Sequence, residues 1–109
     1  MNEAFATALA AHGAGLITHI GLFASGTEIS GSGYARQAVT WSGAGSVKSP
    51  NANIVFTGPA STAVDEWRGF TASTGGTDYG GATMTGTGFD SGGSFTLLAA
   101  STNFDVSPA

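Results

Sequence analysis

The chain lacks cysteine and carries few charged side chains. With no cysteine among 109 residues, disulfides, thiolate metal sites and cysteine nucleophiles are excluded. Three residues are Lys or Arg, seven are Asp or Glu, and the sequence pI is about 4.6. Nucleic acids and anionic membrane surfaces both select clustered basic side chains. We therefore expect neither a nucleic acid nor a membrane as a partner.

Long apolar runs are also missing. No stretch approaches the roughly 20 apolar residues that span a bilayer. The first residues, MNEAFATALAAHGAG, contain Glu3 and no basic residue, so we expect no secretory signal and a chain that begins near Met1.

Large apolar side chains are scarce as well. Val, Ile, Leu and Phe together make up 21 residues, whereas glycine alone contributes 18. A domain of this size has limited surface to bury, and small side chains exclude water poorly. We therefore expect part of the apolar surface to be buried between copies of the chain in a homo-oligomer.

The pattern along the chain predicts an all-β fold, an antiparallel β-sandwich preceded by a short N-terminal helix. AFATALAAH reads as a helix with Asn2 as its N-cap, Phe5 and Leu9 on one face, and Gly13 and Gly15 ending it. Residues 1–15 are thus a helix and a hinge, and residues 16–109 a single β-sandwich domain. This helix either docks on its own sandwich or serves as an attachment arm, and the narrow Phe5–Leu9 stripe favours attachment.

After Gly15 the apolar period becomes two, and Leu16, Thr18, Ile20 and Leu22 form the predicted core face of the first strand. Gly- and Ser-rich turns then separate further short segments, which gives about seven strands in all. These segments are YARQAVTW, NANIVF, VDEWRGF, YGGATMT, SFTLLA and TNFDVS.

The titratable residues do not form a recognisable catalytic or metal-binding pattern. His12 and His19 are separated by two glycines, and adjacent Asp65 and Glu66 would point to opposite faces of a strand. Asp78, Asp90 and Asp105 each lie beside a turn or strand end, where they are expected to cap turns. We therefore predict no catalytic residues, no cofactor and no metal, and hence a protein that is not an enzyme.

The aromatic residues are the other candidates for function. Trp41 and Trp67 could form a platform for stacking on sugars, together with Tyr79. Tryptophans at strand ends more often anchor a core or a subunit interface, and we favour an interface.

The stretch YARQAVTW places one of the few basic residues, Arg36, in the middle of a predicted strand. Alternation puts Tyr34 and Arg36 on one face and Gln37 and Trp41 on the other, where the second face is the expected core. The guanidinium of Arg36 would then either bind across an interface or lie in solvent, paired with a nearby acid such as Glu28.

The segment from Glu28 to Trp41, EISGSGYARQAVTW, also carries a family resemblance. With its neighbouring segments it resembles small virion proteins of tailed bacteriophages. The resemblance rests on the helix, THIGLFAS, the pattern E-[IV]-S-G-x-x-Y-A-R-Q-x-V-T-[WF], NANIVF, WRGFTASTGGTDYGG and SFTLLAASTNFDVS. These proteins are labelled tail fibre, head fibre or head decoration proteins. The likeness covers about Phe5 to Val106. VDEWRGF departs from the family pattern, because Glu66 and Arg68 stand where apolar or small residues are expected.

The resemblance implies a β-rich structural component of a virion, without enzymatic activity and with a trimer as the expected assembly. We expect a capsid-surface decoration protein that oligomerises with itself on the major capsid protein. The alternatives are a tail-tip or tail-fibre component bound to tail proteins, and a carbohydrate- or receptor-binding module. The residues expected to anchor an interface or the core are Phe5, Leu9, Tyr34, Arg36, Gln37, Trp41, Trp67 and Arg68.

Overall fold

A computed structural model of the chain describes residues 3–43, 47–99, 102 and 104–105. A helix, α1, comes first and is followed by short antiparallel strands. The elements are α1 (Glu3–Leu16), β1 (His19–Ala24), β2 (Thr27–Glu28), β3 (Gln37–Ala38), β4 (Trp41–Ser42), β5 (Val47–Pro50), β6 (Ile54–Thr57), β7 (Glu66–Phe70), β8 (Asp78–Thr83), β9 (Ser94–Leu97) and β10 (Phe104–Asp105).

The strands form three antiparallel sheets. The five-stranded sheet has the order β2-β1-β7-β8, and β3 pairs with β1 beside β2. A three-stranded sheet has the order β10-β5-β4, and β6 and β9 form a two-stranded sheet. The predicted all-β fold with a preceding helix is confirmed. The described residues form ten strands rather than about seven, because YARQAVTW is split into two strands and because Thr27–Glu28 and Val47–Pro50 form strands where none was predicted.

The main core lies between the five-stranded sheet and the β6–β9 pair. Alternate residues of β6 and β9 are buried, which is the period-two pattern of a strand with one solvated face. Ile20 and Leu22 of β1 and Trp67 of β7 complete this layer from the other side. The buried cluster comprises Ile20, Leu22, Ile29, Ile54, Phe56, Val64, Trp67, Phe89, Phe95 and Leu97.

The helix end and the start of the first strand differ from the prediction. Gly13 and Gly15 lie inside α1, which runs to Leu16, because docking on the sheets outweighs the low helix propensity of glycine. The predicted core face of the first strand is therefore wrong at Leu16, which is helical and exposed, and at Thr18, which is exposed. The predicted N-cap, Asn2, lies outside the described residues.

The Gly13–Gly15 segment is also not a hinge, because it lies within α1 and contacts fix the residues that follow the helix. The Ile17 N–H donates to Gly13 O over 3.0 Å, and the Thr18 N–H donates to Phe70 O over 3.0 Å. The Ile17 side chain fills the space that a side chain at Gly69 would occupy. The helix is thus held to β7 rather than free to swing.

YARQAVTW does not form one strand. Only Gln37–Ala38 and Trp41–Ser42 are strands, and Tyr34 and Arg36 precede them in irregular structure. The predicted division into a core face and an outer face therefore fails. Tyr34 packs against the core together with Val39 and Trp41, whereas Ala35 is exposed.

The described helix does not have the length and apolar character needed to cross a membrane.

Candidate functional site on the outer face of the five-stranded sheet

The outer face of the five-stranded sheet carries most of the charged side chains that the structure describes. In the antiparallel ladder, Gly21 of β1 is paired with Arg68 of β7, and Phe23 is paired with both Glu66 and Glu28. Paired residues of an antiparallel ladder share one face of the sheet. Since neighbouring residues alternate, these side chains point away from the core that Leu22 and Trp67 enter.

Arg36 binds to this face through every nitrogen of its guanidinium group. Nε donates to Glu28 Oε2 over 2.9 Å and Nη2 donates to Glu28 Oε1 over 3.0 Å, which is the bidentate geometry of a strong arginine–carboxylate pair. Nη1 donates to the carbonyl oxygens of Ala72 and Gly75 over 3.2 and 2.8 Å. The side chain thereby ties the 71–77 loop to β2.

The same guanidinium covers an aromatic ring. Its Cζ lies 3.5 Å from the ring centroid of Phe70, within the range of a cation–π contact. The pairing with Glu28 that the sequence suggested is confirmed. The expectation that such a pair would lie in solvent is wrong, because only 11% of the Arg36 side chain is exposed. The hydrogen bond to Glu28 raises the pKa of Arg36 above its ordinary value, so this charge is permanent.

Tyr34 connects the ion pair to the backbone of β1. Its hydroxyl group accepts the Leu22 N–H over 2.8 Å and donates to Glu28 Oε2 over 3.0 Å. Burial raises the pKa of Tyr34 well above its ordinary value of 10.0, and the neighbouring Glu28 carboxylate adds to the shift. The neutral hydroxyl is therefore a fixed part of this network.

Arg68 makes a second, similar arrangement on the same face. Nη2 donates to Glu66 Oε1 and Nη1 donates to Asp78 Oδ2, each over 2.9 Å. Its Cζ lies 4.2 Å from the ring centroid of Phe23. These contacts give Arg68 and Glu66 a common structural role.

The two rings under the arginines contact each other. The centroids of Phe23 and Phe70 are 5.9 Å apart and the ring planes differ by 16°. Arg36, Phe70, Phe23 and Arg68 are therefore linked in series by planar contacts. We call these four side chains with Glu28, Tyr34, Glu66 and Asp78 the outer-face network.

A glycine makes room for the network. A Cβ atom at Gly21 would lie 2.6 Å from Glu28 Oε2, 3.0 Å from Phe70 Cε2 and 3.2 Å from Tyr34 Oη. No side chain fits at this position without displacing the carboxylate. A glycine inside a strand is a known signal of such a close approach, and it is the sequence feature that could have located the network.

A depression of about 350 Å³ opens beside Arg36, between the 28–36 segment and the 71–77 loop. Its walls include the hydroxyl-bearing residues Ser30, Ser73 and Thr74. The polar groups of its lining residues Tyr34 and Arg36 already bind to protein atoms. These polar groups therefore hold the 71–77 loop in position.

The two tryptophans are close together and lie apart from the network. Their ring centroids are 6.4 Å apart. Trp67 is 4% exposed and belongs to the main core, so it is not available for a sugar or a subunit interface. Trp41 is half-buried, and its Nε1 donates to Ile17 O over 2.9 Å, which fastens β4 to the end of α1.

The remaining predicted residues are dispersed. Gln37 lies on β3 and its Nε2 donates to Ala35 O over 3.2 Å. Phe5 and Leu9 lie on α1, and both side chains are exposed. These three residues therefore share no site with the outer-face network.

Three of the predicted site residues belong to the outer-face network. Tyr34 and Arg36 bind Glu28, and Arg68 binds Glu66 and Asp78. The members of the network that were not predicted as site residues are Glu28, Glu66, Asp78, Phe23 and Phe70, with Gly21 beside them. The two phenylalanines resemble ordinary core residues in the sequence, so for these two rings only the strand glycine offered a signal.

The aspartates act largely as predicted. Asp90 Oδ1 accepts the N–H groups of Gly92 and Ser94, and Asp78 Oδ1 accepts the Gly80 N–H. The side chain of Asp105 lies outside the described residues. Within the described part of the chain, no three His, Asp or Glu residues are grouped to hold a metal ion.

Comparison of the chain with protein-family models, curated proteins and solved structures gave no significant match.

Proposed function

We propose that this chain is a non-enzymatic structural protein of a tailed-bacteriophage virion, a capsid-surface decoration protein that oligomerises on the shell. The segment with the most specific resemblance, Glu28 to Trp41, is the basis of this assignment. The role of that segment in the fold provides the structural support.

The observation that carries the proposal is that the polar residues of this segment stabilise the protein itself. Glu28, Tyr34 and Arg36 bind one another, the β1 backbone and the 71–77 loop. Fully engaged donors and acceptors rigidify a fold. They are a poor basis for catalysis, which needs a group that can exchange a proton or attack a substrate. The pattern E-I-S-G-x-x-Y-A-R-Q thus encodes a scaffold, which suits a virion component.

A decoration protein acts by mass action. A protein that binds only the assembled shell stabilises that shell by its binding free energy. Low charge and exposed apolar side chains on α1 and the strands suit such a contact. The exposed large apolar residues are Phe5, Leu9, Leu16, Val47, Val55, Tyr79 and Leu98.

The experiment that tests the placement is a measurement of copy number in purified particles that contain this chain. Quantitative mass spectrometry would compare the chain with the major capsid protein. A ratio near one copy per shell subunit, or one trimer per local three-fold position, is the expected result. A ratio typical of tail proteins, far below that of the shell, would place the chain in the tail instead.

A second measurement tests the cementing role. Shells that lack the chain should lose their contents at lower temperature than complete shells, and adding the purified chain should restore the difference. An unchanged thermal release profile, with the chain bound, would contradict a cementing role.

The carbohydrate-binding alternative is less well supported by the geometry. Trp67 is in the core and Trp41 is tied to Ile17, so these residues do not form an open platform with Tyr79 on β8. Binding of the purified chain to a glycan array, lost in Tyr79→Ala, would revive this alternative.

A further inference from the structure

Strand β9 is paired on one side only. Its register with β6 places Phe95 opposite Phe56 and Thr96 opposite Val55. Among the described strands, none pairs with β9 on its other side. Thr96 is exposed, whereas its neighbours Phe95 and Leu97 are buried in the core. One long side of β9 is therefore an open sheet edge.

The hydrogen bonds at the start of β9 show which backbone groups face β6. The Gly58 N–H donates to Gly93 O over 2.9 Å. In an antiparallel pair, the residues that exchange such bonds alternate with residues that do not. Phe95 and Leu97 therefore turn their N–H and C=O groups towards β6.

The residues between them turn these groups to the open edge. At Ser94 both groups are engaged, because the N–H donates to Asp90 Oδ1 over 3.0 Å and the C=O accepts the Asp90 N–H over 2.9 Å. At Thr96, two residues further, neither group has a partner among the described residues. Thr96 thus presents one free donor and one free acceptor.

Leu98 continues the open edge beyond β9. The Ala99 N–H donates to Asn53 Oδ1 over 2.9 Å, so the chain at residue 99 still turns towards the segment that carries β6. Alternation then directs the backbone groups of Leu98 to the same side as those of Thr96. The Leu98 side chain is 51% exposed.

The edge strand of the five-stranded sheet, β8, is protected against pairing with another strand. Its ladder with β7 contains a register shift, Asp78 begins the strand, and Gly80 has a φ of 76°. Bulges and charged residues are the usual protection of a sheet edge. β9 has neither charge nor proline, because the stretch from Ser91 to Phe104 contains no Asp, Glu, Lys, Arg or Pro. An edge of this kind is a template for another strand.

We propose that the open edge of β9 binds an extended segment of the shell protein, which adds a strand to the β6–β9 sheet. This inference rests on the proposed function, which supplies the shell as the partner. The free groups of Thr96 and Leu98 select an extended polypeptide, because alternate residues of another strand repeat at the same spacing of about 6.8 Å. In such strand addition, main-chain hydrogen bonds give affinity and alternate side chains give specificity.

The two faces of the sheet determine the side chains of that segment. On the inner face it would lie beside Phe95 and Leu97, which are buried, so its inward side chains are apolar. On the solvent face it would lie beside Thr96 and Leu98, and a charge there would lose water without gaining a partner. The expected segment is therefore an uncharged strand in which every second residue is apolar.

The small size of the edge disfavours a second copy of this chain as the occupant. The stretch from Phe95 to Leu98 is about 14 Å long, and a sheet is about 10 Å thick, so strand pairing here buries a few hundred Å². A stable complex between two free proteins buries roughly 1,200 Å² or more. On a shell, other surfaces of the bound chain add to the contact.

The test is binding of the purified full-length chain to purified shells that lack it, measured by co-sedimentation. Thr96→Pro removes the free N–H and leaves the bonds to β6 intact, because proline is tolerated where the N–H faces solvent. It should weaken binding on the order of tenfold or more, because a backbone hydrogen bond and the close approach of the strands are lost. Thr96→Val keeps the N–H and the side-chain shape, and should bind as the wild type does.

Thr83→Pro is a second control, on the edge of β8. The Met84 N–H donates to Asp65 O over 2.7 Å, so the N–H of the neighbouring Thr83 faces away from β7. The same substitution thus removes an outward N–H from the protected edge. Thr83→Pro should leave binding to shells unchanged.

Amide hydrogen exchange of the wild-type chain keeps the test decisive if Thr96→Pro fails to fold. In the free chain, the Phe95 and Leu97 amides should exchange slowly and the Thr96 amide fast, because only the first two are bonded to β6. On shells, the Thr96 amide should become slow as well. Quenching followed by fragment mass spectrometry resolves these amides.

Binding of Thr96→Pro as tight as that of Thr96→Val would overturn the proposal, as would an equal loss in Thr83→Pro or fast exchange at Thr96 in the bound chain. Slow exchange at Thr96 without shells, appearing as the chain is concentrated, would assign the edge to a second copy instead. A wild-type chain that does not bind shells would refute the decoration role and this inference together. Full binding by Thr96→Pro would refute this inference alone.

Discussion

The guanidinium group of Arg36 lies over the ring of Phe70, with Cζ 3.5 Å from the ring centroid. Phe70 is buried although it points away from the main core, because this arginine covers it. Arg36 thus serves two purposes, as an apolar cover through its flat face and as a hydrogen-bond donor at its edge. A lysine has no flat face and no fixed fork of donors, so it cannot replace both functions.

We expect Arg36→Ala to lower the free energy of unfolding by about 2–4 kcal/mol, because it uncovers Phe70 and leaves the Glu28 carboxylate without its cation. Arg36→Lys should fall between the wild type and the alanine variant. Urea unfolding monitored by circular dichroism measures both. The matched comparison is Arg68→Ala, which removes the other arginine–phenylalanine contact from a more exposed position and should cost less. Equal losses at the two positions would contradict the special role of Arg36.

The free energy of unfolding should fall in alkaline solution because the Tyr34 hydroxyl ionises. The pKa of this residue is raised by burial above its ordinary value of 10.0, so between these two pKa values the folded chain binds more protons than the unfolded chain. The contribution is complete below about pH 10 and is lost as the pH rises through the folded-state pKa.

Unfolding free energies measured between about pH 8 and pH 11 test this, because the loss of stability begins near the unfolded-state pKa of the tyrosine. In Tyr34→Phe the alkaline loss should shrink, while stability near neutral pH should drop by about 1–3 kcal/mol because the Leu22 N–H loses its acceptor. Tyr79→Phe, an exposed tyrosine on β8, is the control. A slope that Tyr34→Phe leaves unchanged would refute the prediction.

Gly21→Ala should disrupt the outer-face network from beneath. Its Cβ atom would press on the Glu28 carboxylate from 2.6 Å, and relieving such a contact costs about 1–3 kcal/mol. The displaced carboxylate can no longer hold Arg36 in two-point geometry. The cost of Gly21→Ala should therefore be smaller when Arg36 is already alanine, as a double-mutant cycle would reveal. Additive effects would mean that the two positions are independent.

Trp67→Ala should cost about 3–5 kcal/mol, the value for a large aromatic residue removed from a core. Trp41→Ala should cost less, because Trp41 is half-buried, although its bond to Ile17 O is also lost. Thermal melts rank the two. Trp41→Phe separates the hydrogen bond from the ring contact. If Trp41→Ala proves the more harmful, Trp41 supports more of the fold than its burial indicates.

Gly15→Ala should raise the free energy of unfolding by about 0.5–1 kcal/mol, because alanine gains helix propensity here without a clash. Gly15 lies inside α1, and a Cβ atom at this position would meet no atom within 4 Å. A hinge at this position would instead tolerate the change without any gain. The melting temperature distinguishes the two outcomes.

Several features could be read from the sequence because they depend on neighbouring residues. The period-two pattern in SFTLLA and NANIVF predicted strands at the right places, since alternation along a strand is a local property. Asp90 beside a glycine-rich turn was correctly expected to cap it, because the cap bonds residues only two and four positions away. The pairing of Arg36 with Glu28 followed from their small separation and opposite charge.

The glycines of α1 and the strand in YARQAVTW were misjudged for a different reason. Local preference favours ending a helix at Gly13, but burial of Ala6 and Ala10 and the bonds at Ile17 and Thr18 decide where α1 ends. Tyr34 leaves the strand because its hydroxyl group finds the Leu22 N–H and Glu28, partners that alternation cannot reveal.

The sequence by itself determined an all-β protein with a leading helix, without cysteine chemistry and with few large apolar residues. The tertiary structure decided that Phe23 and Phe70 lie under two arginines on the outer face, and that α1 turns its larger apolar side chains outwards. The pairing register brings Gly21, Arg68 and Phe70 together across strands that are more than 40 positions apart in the chain. Contacts between such distant segments follow from packing of the whole chain, which no local pattern encodes.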